Sequence, residues 1–240
     1  CSVLSLSVKM YNYRHVKIVL FGNNSSVIEP LTKEAGFEVV DKNPEFVVSF
    51  GGDGTHLKSE HAWPEIPKIL LKDSLICKKC SPLTNKEVLE RIRNGKYATE
   101  ELMKLEVAAN GKTMTAVNDI IVHNKDPRHA IRYSLSVNER TLGEAIIGDG
   151  VVIATPFGST AYYRSITDSS FELGIGLAFN NSTEQSDHIV LKEDSVVKIK
   201  IMRGPAIVYA DNQEKEIVLE KDDEVIIRKS KDKARIVVIR

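Results

Sequence analysis

The spacing of apolar residues changes near residue 105, and this change restricts the possible folds more than any other feature of the sequence. Before it, short apolar runs at 16–21 and 46–50 alternate with segments of helical spacing such as 85–94. Strands that alternate with helices are typical of a parallel α/β sheet. After it, short runs rich in β-branched residues are separated by turn residues, which is the pattern of antiparallel β structure.

We therefore predict an α/β plus β fold with two domains. Residues 1–105 are expected to form a Rossmann-like α/β domain, and residues 106–240 a β-rich, sandwich-like domain. Near the end of the chain, two apolar runs at 224–228 and 235–239 flank the charged segment 229–233. We interpret this segment as the solvated tip of a hairpin.

Composition argues against several classes of partner. The 33 Lys and Arg residues balance the 33 Asp and Glu residues, so no excess charge favours nucleic acid or an anionic membrane. No apolar run approaches the roughly 20 residues of a membrane-spanning helix. Residues 1–8 are a short apolar stretch without a basic lead-in, so we do not expect a signal peptide. The odd and sparse count of 3 cysteines fits a reducing cytoplasm, where we expect the protein.

Two of the cysteines, Cys77 and Cys80, have C-x-x-C spacing. A structural zinc site usually has four ligands, and the sequence contains no second pair of this kind. We therefore interpret both as incidental thiols, with neither zinc nor an obligatory disulfide, and we predict no metal-binding residues. His56 and His61 are five positions apart on a predicted helix. This is poor spacing for a shared metal, so we expect surface or packing roles for them.

The segment GGDGT at 51–55 directly follows an apolar run. Its glycines permit a sharp turn and let backbone N–H groups approach a phosphate. A helix that begins near Thr55 would add a partial positive charge. Asp53 could then accept a proton from a hydroxyl nucleophile. A strand-to-helix turn without any ligand would show the same pattern. The predicted phosphate-binding residues are Gly51, Gly52, Thr55 and Lys58.

Two further segments place polar groups beside apolar runs. The segment TPFGSTAY at 155–162 follows a strand-like run, and Ser159 or Thr160 can cap a helix there and leave N–H donors free. A well-capped helix with a core tyrosine fits the same residues. Asn118 and Asp119 open another apolar run. An amide beside a carboxylate can recognise an adenine edge or a ribose diol, although a simple turn before a strand also explains the pair.

In order and spacing, these three segments resemble the NAD kinase family, whose members depend on ATP or polyphosphate. GGDGT is shared with diacylglycerol and sphingosine kinases and with phosphofructokinases. The Asn-acidic pair and the T-P-x-G-S-T-A-Y segment after Asp-Gly are much more specific to NAD kinases. The resemblance covers roughly residues 16–239. It implies transfer of a phosphate to the 2′-hydroxyl of the adenosine ribose of NAD, giving NADP, in a cleft between the two domains.

The resemblance also implies roles for individual residues. Asp53 matches the general base that faces the ribose hydroxyl. The resemblance also implies that Mg²⁺ or another divalent metal is bound with the phosphoryl donor. The expected substrates are NAD and ATP or polyphosphate, and the expected assembly is a homodimer or homotetramer. The positions that match NAD contacts in the family are Asp53, Gly54, Asn118, Asp119, His129, Asp149, Thr160, Ala161, Tyr162, Tyr163, Arg164, Ser165 and Gln213.

The chain departs from the family pattern at several places, and two other functions stay open. Phe157 replaces the usual second threonine of T-P-T-G-S-T-A-Y. After Ile69, the family shows a Gly-x-Leu-Gly-Phe-Leu-like stretch where this chain reads LLKDSLIC. A lipid kinase of the diacylglycerol type would share residues 51–55 but would not explain residues 149–162. A non-catalytic NAD(P)-binding sensor on the same fold would bind the dinucleotide and form no product.

Overall fold

The computed structural model describes residues 16–73, 77–182 and 187–240, so the prediction for residues 1–8 lies outside the described residues. The α-helices of these ranges are α1 Ser25–Glu34, α2 Asp53–Ala62, α3 Asn85–Arg93 and α4 Tyr162–Thr167. The strands are β1 Val16–Phe21, β2 Phe37–Val39, β3 Phe46–Gly51, β4 Lys68–Lys72, β5 Tyr97–Ala109, β6 Lys112–Ala116, β7 Asp119–Asn124, β8 Ile131–Val137, β9 Arg140–Gly148, β10 Gly150–Ala154, β11 Ile175–Asn180, β12 His188–Leu191, β13 Val197–Arg203, β14 Ala206–Ala210, β15 Ile217–Leu219 and β16 Glu224–Ile239. None of the described helices is long and apolar enough to cross a membrane.

The first half of the chain forms parallel strands with helices, as predicted. The strand order is β2-β1-β3-β4, and all neighbours in it run parallel. β3 is apolar along most of its length and buried on both faces, as is usual where helices cover a parallel sheet. α3 begins with a capping box, in which Thr84 Oγ1 accepts from the Glu87 backbone N–H and the Glu87 carboxylate accepts from Thr84. Its apolar stripe packs on the sheet through Val88, Leu89 and Ile92.

The second half forms the predicted β sandwich. A small sheet of six strands has the order β12-β11-β10-β7-β14-β15. It packs against the antiparallel part of a large ten-stranded sheet, whose order is β2-β1-β3-β4-β16-β13-β8-β9, with β5 on β16 and β6 on β5. The main hydrophobic core lies between these two layers and takes residues from both, including Val107, Leu135, Val151 and Ile199. The α/β plus β fold class is therefore confirmed.

The last strand differs from the prediction and joins the two halves. β16 is one continuous strand, so the interpretation of residues 229–233 as a hairpin tip is wrong. Both of its ends pair with β5, from Ile226 opposite Ala108 to Ile239 opposite Tyr97, and the register shifts only between Lys229 and Lys233. The charged residues stay in the sheet because the partner strand is long enough to pair on both sides of the irregularity.

The division at residue 105 falls inside β5. Because β16 also pairs with β4 in parallel, the large sheet continues from one predicted domain into the other. The two-domain division stays a prediction that no break in the sheet marks.

Candidate active site

A sharp turn joins β3 to α2 and contains the glycine-rich segment. Gly51 ends β3, and a Cβ at this position would lie 2.3 Å from Thr55 Oγ1. Gly22, which follows β1, has φ +136°, and a Cβ there would lie 2.2 Å from the carbonyl oxygen of Phe50. Side chains at both positions are excluded, so the turns after β1 and β3 can pack closely together.

An open cleft of about 590 Å³ lies beside this turn, at the carboxyl ends of β1 and β3. Ligands of open α/β sheets bind at such a position. The first N–H groups of α2 have no partner within the helix, and the helix dipole favours an anion near them. Gly52, Thr55 and Lys58 line the cleft, whereas Gly51 packs beneath the turn. The arrangement suits a phosphate group.

Asp53 is the first residue of α2 and lies between Gly52 and Gly54, which both line the cleft. Its Oδ1 accepts a hydrogen bond from the backbone N–H of Lys79 at 3.1 Å, and its Oδ2 accepts one from Lys78 at 3.3 Å. An ionised carboxylate has about four acceptor positions. Asp53 is therefore held in place and can still accept a proton from a hydroxyl group.

The buried carboxylate of Asp211 organises the Asn-acidic pair. It accepts hydrogen bonds from the backbone N–H groups of Val117 at 2.8 Å, Asn118 at 2.7 Å and Asp119 at 3.3 Å. His61 Nε2 lies 3.1 Å from its Oδ2. Sequence reasoning did not assign this role to Asp211, because the residues that it holds are far away along the chain.

The side chains of this pair are buried and ready for a ligand. Asn118 is 9% exposed, and its Oδ1 has no hydrogen-bond partner among the described residues. Asp119 is 6% exposed. Burial, and to a smaller extent the nearby charge of Asp211, raise the pKa of Asp119 to about 7. Unpaired buried groups and perturbed carboxyls are typical of binding sites.

The segment at 155–162 packs directly on Asn118. Thr155 donates its backbone N–H to the carbonyl oxygen of Asn118 at 2.8 Å, and a Cβ at Gly158 would lie 2.1 Å from that oxygen. Ser159 Oγ donates to the carbonyl oxygens of Pro156 and Phe171. The prediction that Ser159 or Thr160 caps the helix is wrong, since Ala161 precedes α4 without a side-chain cap. A short 3₁₀ turn intervenes instead.

Lys79 connects the loop beside Asp53 to this segment. Its Nζ donates to Thr160 Oγ1 at 3.0 Å and to the carbonyl oxygen of Phe157, and it lies 4.0 Å from the centre of the Phe157 ring. Burial lowers the pKa of Lys79, and the attraction of Asp53 partly opposes this effect. No local sequence signal singled out Lys79, because its partners come from another part of the chain.

A second connection runs through Asn212. Its Nδ2 donates to the carbonyl oxygen of Gly54 at 3.0 Å. The preceding residue, Asp211, holds the Asn-acidic pair, so two consecutive residues join the glycine-rich turn to that pair. The cleft and the pair therefore belong to one site.

Comparison with known proteins identifies the family. Residues 117–239 match the family model of the ATP-NAD kinase C-terminal domain, which is about half of the chain. The chain belongs to the NAD kinase family. It is 29% identical over 218 residues to an NAD kinase of Methanothermobacter thermautotrophicus, with 87% of this chain and 76% of that relative covered. It is 27% identical over 241 residues to an NAD kinase of Sulfurisphaera tokodaii, with 92% and 94% covered. The lipid kinase and sensor alternatives are not favoured.

Two solved structures of this family share the fold. A yeast NADH kinase complexed with NADH superposes with a TM-score of 0.80 at 17% identity, covering 96% of this chain and 85% of the other. An NAD kinase from Archaeoglobus fulgidus in complex with ATP superposes with a TM-score of 0.72 at 22% identity, covering 95% and 94%. At such identities the likeness shows the fold alone.

Several residues that the resemblance to NAD kinases assigned to dinucleotide contacts pack against or hydrogen-bond to other residues of this chain. Tyr163 is 0% exposed and packs edge-on against Phe171, with ring centres 5.0 Å apart, so its side chain belongs to the core and its dinucleotide contact stays a prediction. The Tyr162 hydroxyl accepts from Asn180 Nδ2 at 3.1 Å. Gln213 donates its amide to the carbonyl oxygens of Thr115 and Ala210. Ala161 is half-buried, and Arg164 and Ser165 are exposed.

The structure does not place His129 and Asp149 beside Asn118 and Asp119. Asp119 pairs with Ala154 at one end of β10, whereas Asp149 precedes the other end. The two groups are about 17 Å apart at the usual rise of a strand. Asn124 connects His129 and Asp149 to each other. Its Nδ2 donates to the His129 carbonyl oxygen at 3.0 Å and to Asp149 Oδ1 at 3.2 Å.

The two cysteines of the C-x-x-C segment are not free thiols in this structure, contrary to the prediction. Cys77 and Cys80 form a disulfide in the loop beside Asp53. Both sulfurs face His56, a buried residue of α2. Burial lowers the pKa of His56 to about 4, although the charge of Asp53 opposes this shift, so the imidazole is neutral at pH 7. Sequence reasoning missed this cluster because His56 and the cysteine pair meet only in the folded chain.

Proposed function

We propose that this protein transfers a phosphate from ATP or polyphosphate to the 2′-hydroxyl of the adenosine ribose of NAD, forming NADP. One observation carries the proposal. Asp53 lies in the glycine-rich turn beside the cleft, and the hydrogen bonds of Asp211 and Asn212 join this turn to the Asn118–Asp119 pair. A donor in the cleft and an adenosine at the pair would therefore approach each other at a carboxylate.

The chemistry of each residue suggests a separate role in the reaction. The N-terminus of α2 and Lys58 would hold the donor phosphates. Asn118 and Asp119 would bind the adenosine part of NAD, since their polar atoms are buried and the Asn118 oxygen is unpaired. Asp53 would accept the proton of the attacking hydroxyl. Phosphoryl transfer depends mainly on positioning and charge stabilisation, and these residues would contribute to both.

We further propose that Mg²⁺ or another divalent cation enters with the phosphoryl donor. Mg²⁺ prefers oxygen ligands and is usually held by one or two carboxylates together with substrate phosphates. Asp53 supplies a carboxylate beside the cleft, so the residues present fit such an ion. When bound, the ion would neutralise charge on the phosphates. Lys58 and the N-terminus of α2 would orient the donor phosphates.

A homodimer or homotetramer in the cytoplasm completes the proposal. The family resemblance supports the oligomer. The low cysteine count supports the compartment, where the Cys77–Cys80 disulfide would be open to reduction. Light scattering coupled to gel filtration measures the mass of the particle. A monomer at micromolar concentration would contradict the oligomer without affecting the proposed reaction.

The decisive experiment incubates the protein with NAD, Mg²⁺ and either ATP or polyphosphate, and measures NADP with an NADP-specific dehydrogenase. We expect NADP with at least one donor and no phosphorylation of diacylglycerol or sphingosine. NAD binding in calorimetry without NADP from either donor would instead establish the sensor. Lipid product without NADP would establish the lipid kinase.

A further inference from the structure

A cluster of three metal-ligating side chains lies next to the candidate base. His56 Nε2 is 3.4 Å from Cys77 Sγ and 3.3 Å from Cys80 Sγ. The nitrogen and the two sulfurs all lie within 4.8 Å of one another. His56 belongs to α2, and the cysteines belong to the loop after β4, so the cluster joins two elements of the fold.

A hydrogen bond to the second ring nitrogen orients the His56 imidazole for metal binding. Its Nδ1 lies 2.9 Å from the hydroxyl oxygen of Ser49, a fully buried residue of β3. The hydroxyl can accept a hydrogen bond from Nδ1–H, which leaves the Nε2 lone pair facing the sulfurs. Histidine ligands of metals are commonly held in this way, with the second ring nitrogen hydrogen-bonded to a neighbour.

The spacing of the ligand atoms fits a tetrahedral cation. Zinc binds sulfur at about 2.3 Å and imidazole nitrogen at about 2.0–2.1 Å, which separates nitrogen from sulfur by about 3.5 Å. The two observed separations are 3.3 and 3.4 Å. The sulfurs of Cys77 and Cys80 are bonded to each other in this structure. They would have to move apart to about 3.8 Å around a metal.

We propose that the reduced form of this loop binds one thiophilic divalent cation of the zinc class through His56, Cys77 and Cys80. Two molecules of a thiol reductant first supply two electrons and two protons to the disulfide, giving two cysteine thiols and the disulfide of the reductant. The cation then displaces both thiol protons and bonds to two thiolates and one neutral imidazole. The disulfide and the metal site are alternative states of the same sulfurs.

The position of the site couples it to Asp53. Asp53 Oδ1 lies 3.4 Å from Cys77 Sγ and accepts the backbone N–H of Lys79, which lies between the two cysteines. Three protein ligands leave the fourth position of the tetrahedron open. A bound cation would fix the loop to α2. It would thereby fix the N–H groups that position Asp53, whatever substrate the protein uses.

Metal binding by the purified full chain tests the proposal without reference to activity. The protein is reduced with a phosphine, freed of metal with a chelator, and titrated with Zn²⁺ in competition with a chromophoric chelator. We expect one zinc per chain, and a near-ultraviolet thiolate-to-metal absorption when Co²⁺ replaces Zn²⁺. The double variant Cys77→Ser, Cys80→Ser should bind more than about 100-fold more weakly. The matched control Cys1→Ser should bind like the unmodified chain.

Protection of the thiols provides a second measurement on the unmodified sequence. Zn²⁺ should slow alkylation of Cys77 and Cys80 by iodoacetamide and leave Cys1 reactive, as peptide mass spectrometry can show. His56→Gln should lose zinc affinity while a thermal melt shows that it stays folded. The proposal is overturned if less than one zinc binds per chain and Zn²⁺ does not protect Cys77 and Cys80 from alkylation. It is also overturned by binding that survives the double serine change, or by binding that depends on Cys1.

Discussion

At the scale of single residues, two carboxylates in different surroundings carry the proposed chemistry. Asp53 is partly exposed at a helix N-terminus and accepts two backbone N–H groups. Asp119 is buried beside another carboxylate. The first is suited to accept a proton at the reacting hydroxyl, and the second to recognise the nucleoside. Each role makes a separate prediction.

Replacing Asp53 with Asn should lower kcat and leave NAD binding intact. The amide keeps the size of the carboxylate but cannot accept the hydroxyl proton, and a general base contributes about 10²–10⁴-fold to a rate. Steady-state kinetics, calorimetry and a thermal melt on one preparation measure the three effects. The exposed, distant Asp222→Asn is the matched control and should behave like wild type. Turnover of Asp53→Asn within a few-fold of wild type would remove Asp53 as the base.

NAD affinity should rise with pH through the pKa of Asp119. The pKa is raised to about 7, and hydrogen-bond donors of adenosine prefer the ionised carboxylate. Affinity should increase about tenfold between roughly pH 6 and 8, with proton release seen in calorimetry in different buffers. Asp119→Asn should remove this dependence. In the protein without NAD, the stability changes with pH in the opposite direction to the NAD affinity. The contribution of Asp119 to the free energy of unfolding is present below the unfolded pKa and is lost as pH rises through about 7.

At the scale of elements, a buried charged cluster sets the position of α2. The Glu60 carboxylate of α2 pairs with Lys68 of β4 and with Lys104 of β5, the latter at 3.1 Å. All three side chains are almost fully buried. Burial lowers the pKa of Lys68, while its hydrogen bond and ion pair with Glu60 oppose that shift. The cluster attaches the helix that carries Asp53 to two strands.

Replacing Glu60 with Gln should therefore destabilise the protein strongly. It would leave two buried ammonium groups without a counter-charge, and the loss of one partner from a buried ion pair costs about 3–5 kcal/mol. Urea unfolding measures the change. Glu29→Gln, which removes an exposed pair with Lys33, is the control and should cost less than about 1 kcal/mol. Equal stabilities of the two variants would show that the buried cluster contributes little.

At the scale of the whole molecule, β16 makes one structure of the two predicted halves. Val237 lies in the core of the α/β half, and Ile239 packs against it. Val225 and Ile227 of the same strand lie in the core of the sandwich. The chain end thus contributes to both cores, and neither core is complete without it.

We therefore expect the two halves to unfold in one cooperative transition. Fluorescence of Trp63, the single tryptophan of the chain, reports on the α/β half. Far-ultraviolet circular dichroism reports mainly on the sandwich, which holds most of the strands. The urea midpoints of the two signals should coincide. Two separated midpoints would instead support domains that are independent on either side of residue 105.

The sequence alone predicted the fold class and pointed to three segments of the candidate site. Glycine sterics and the strand before GGDGT are local properties, so the turn and the place of Asp53 could be read from adjacent residues. The same holds for Asn118 and Asp119 at the start of a strand. The predicted helix cap at Ser159 or Thr160 failed, although it was local, because Ser159 bonds to Pro156 and Phe171 instead.

Other features depend on contacts between residues that are far apart in the chain. Asp211 holds Asn118 across a separation of 93 positions, and His56 meets Cys80 across 24. Long strands pair on both sides of the charged segment 229–233 only once β5 is in place. Periodicity and spacing report which face of an element is buried, but not which element covers it. The tertiary structure therefore decided how Asp53 is positioned and where the cysteines lie.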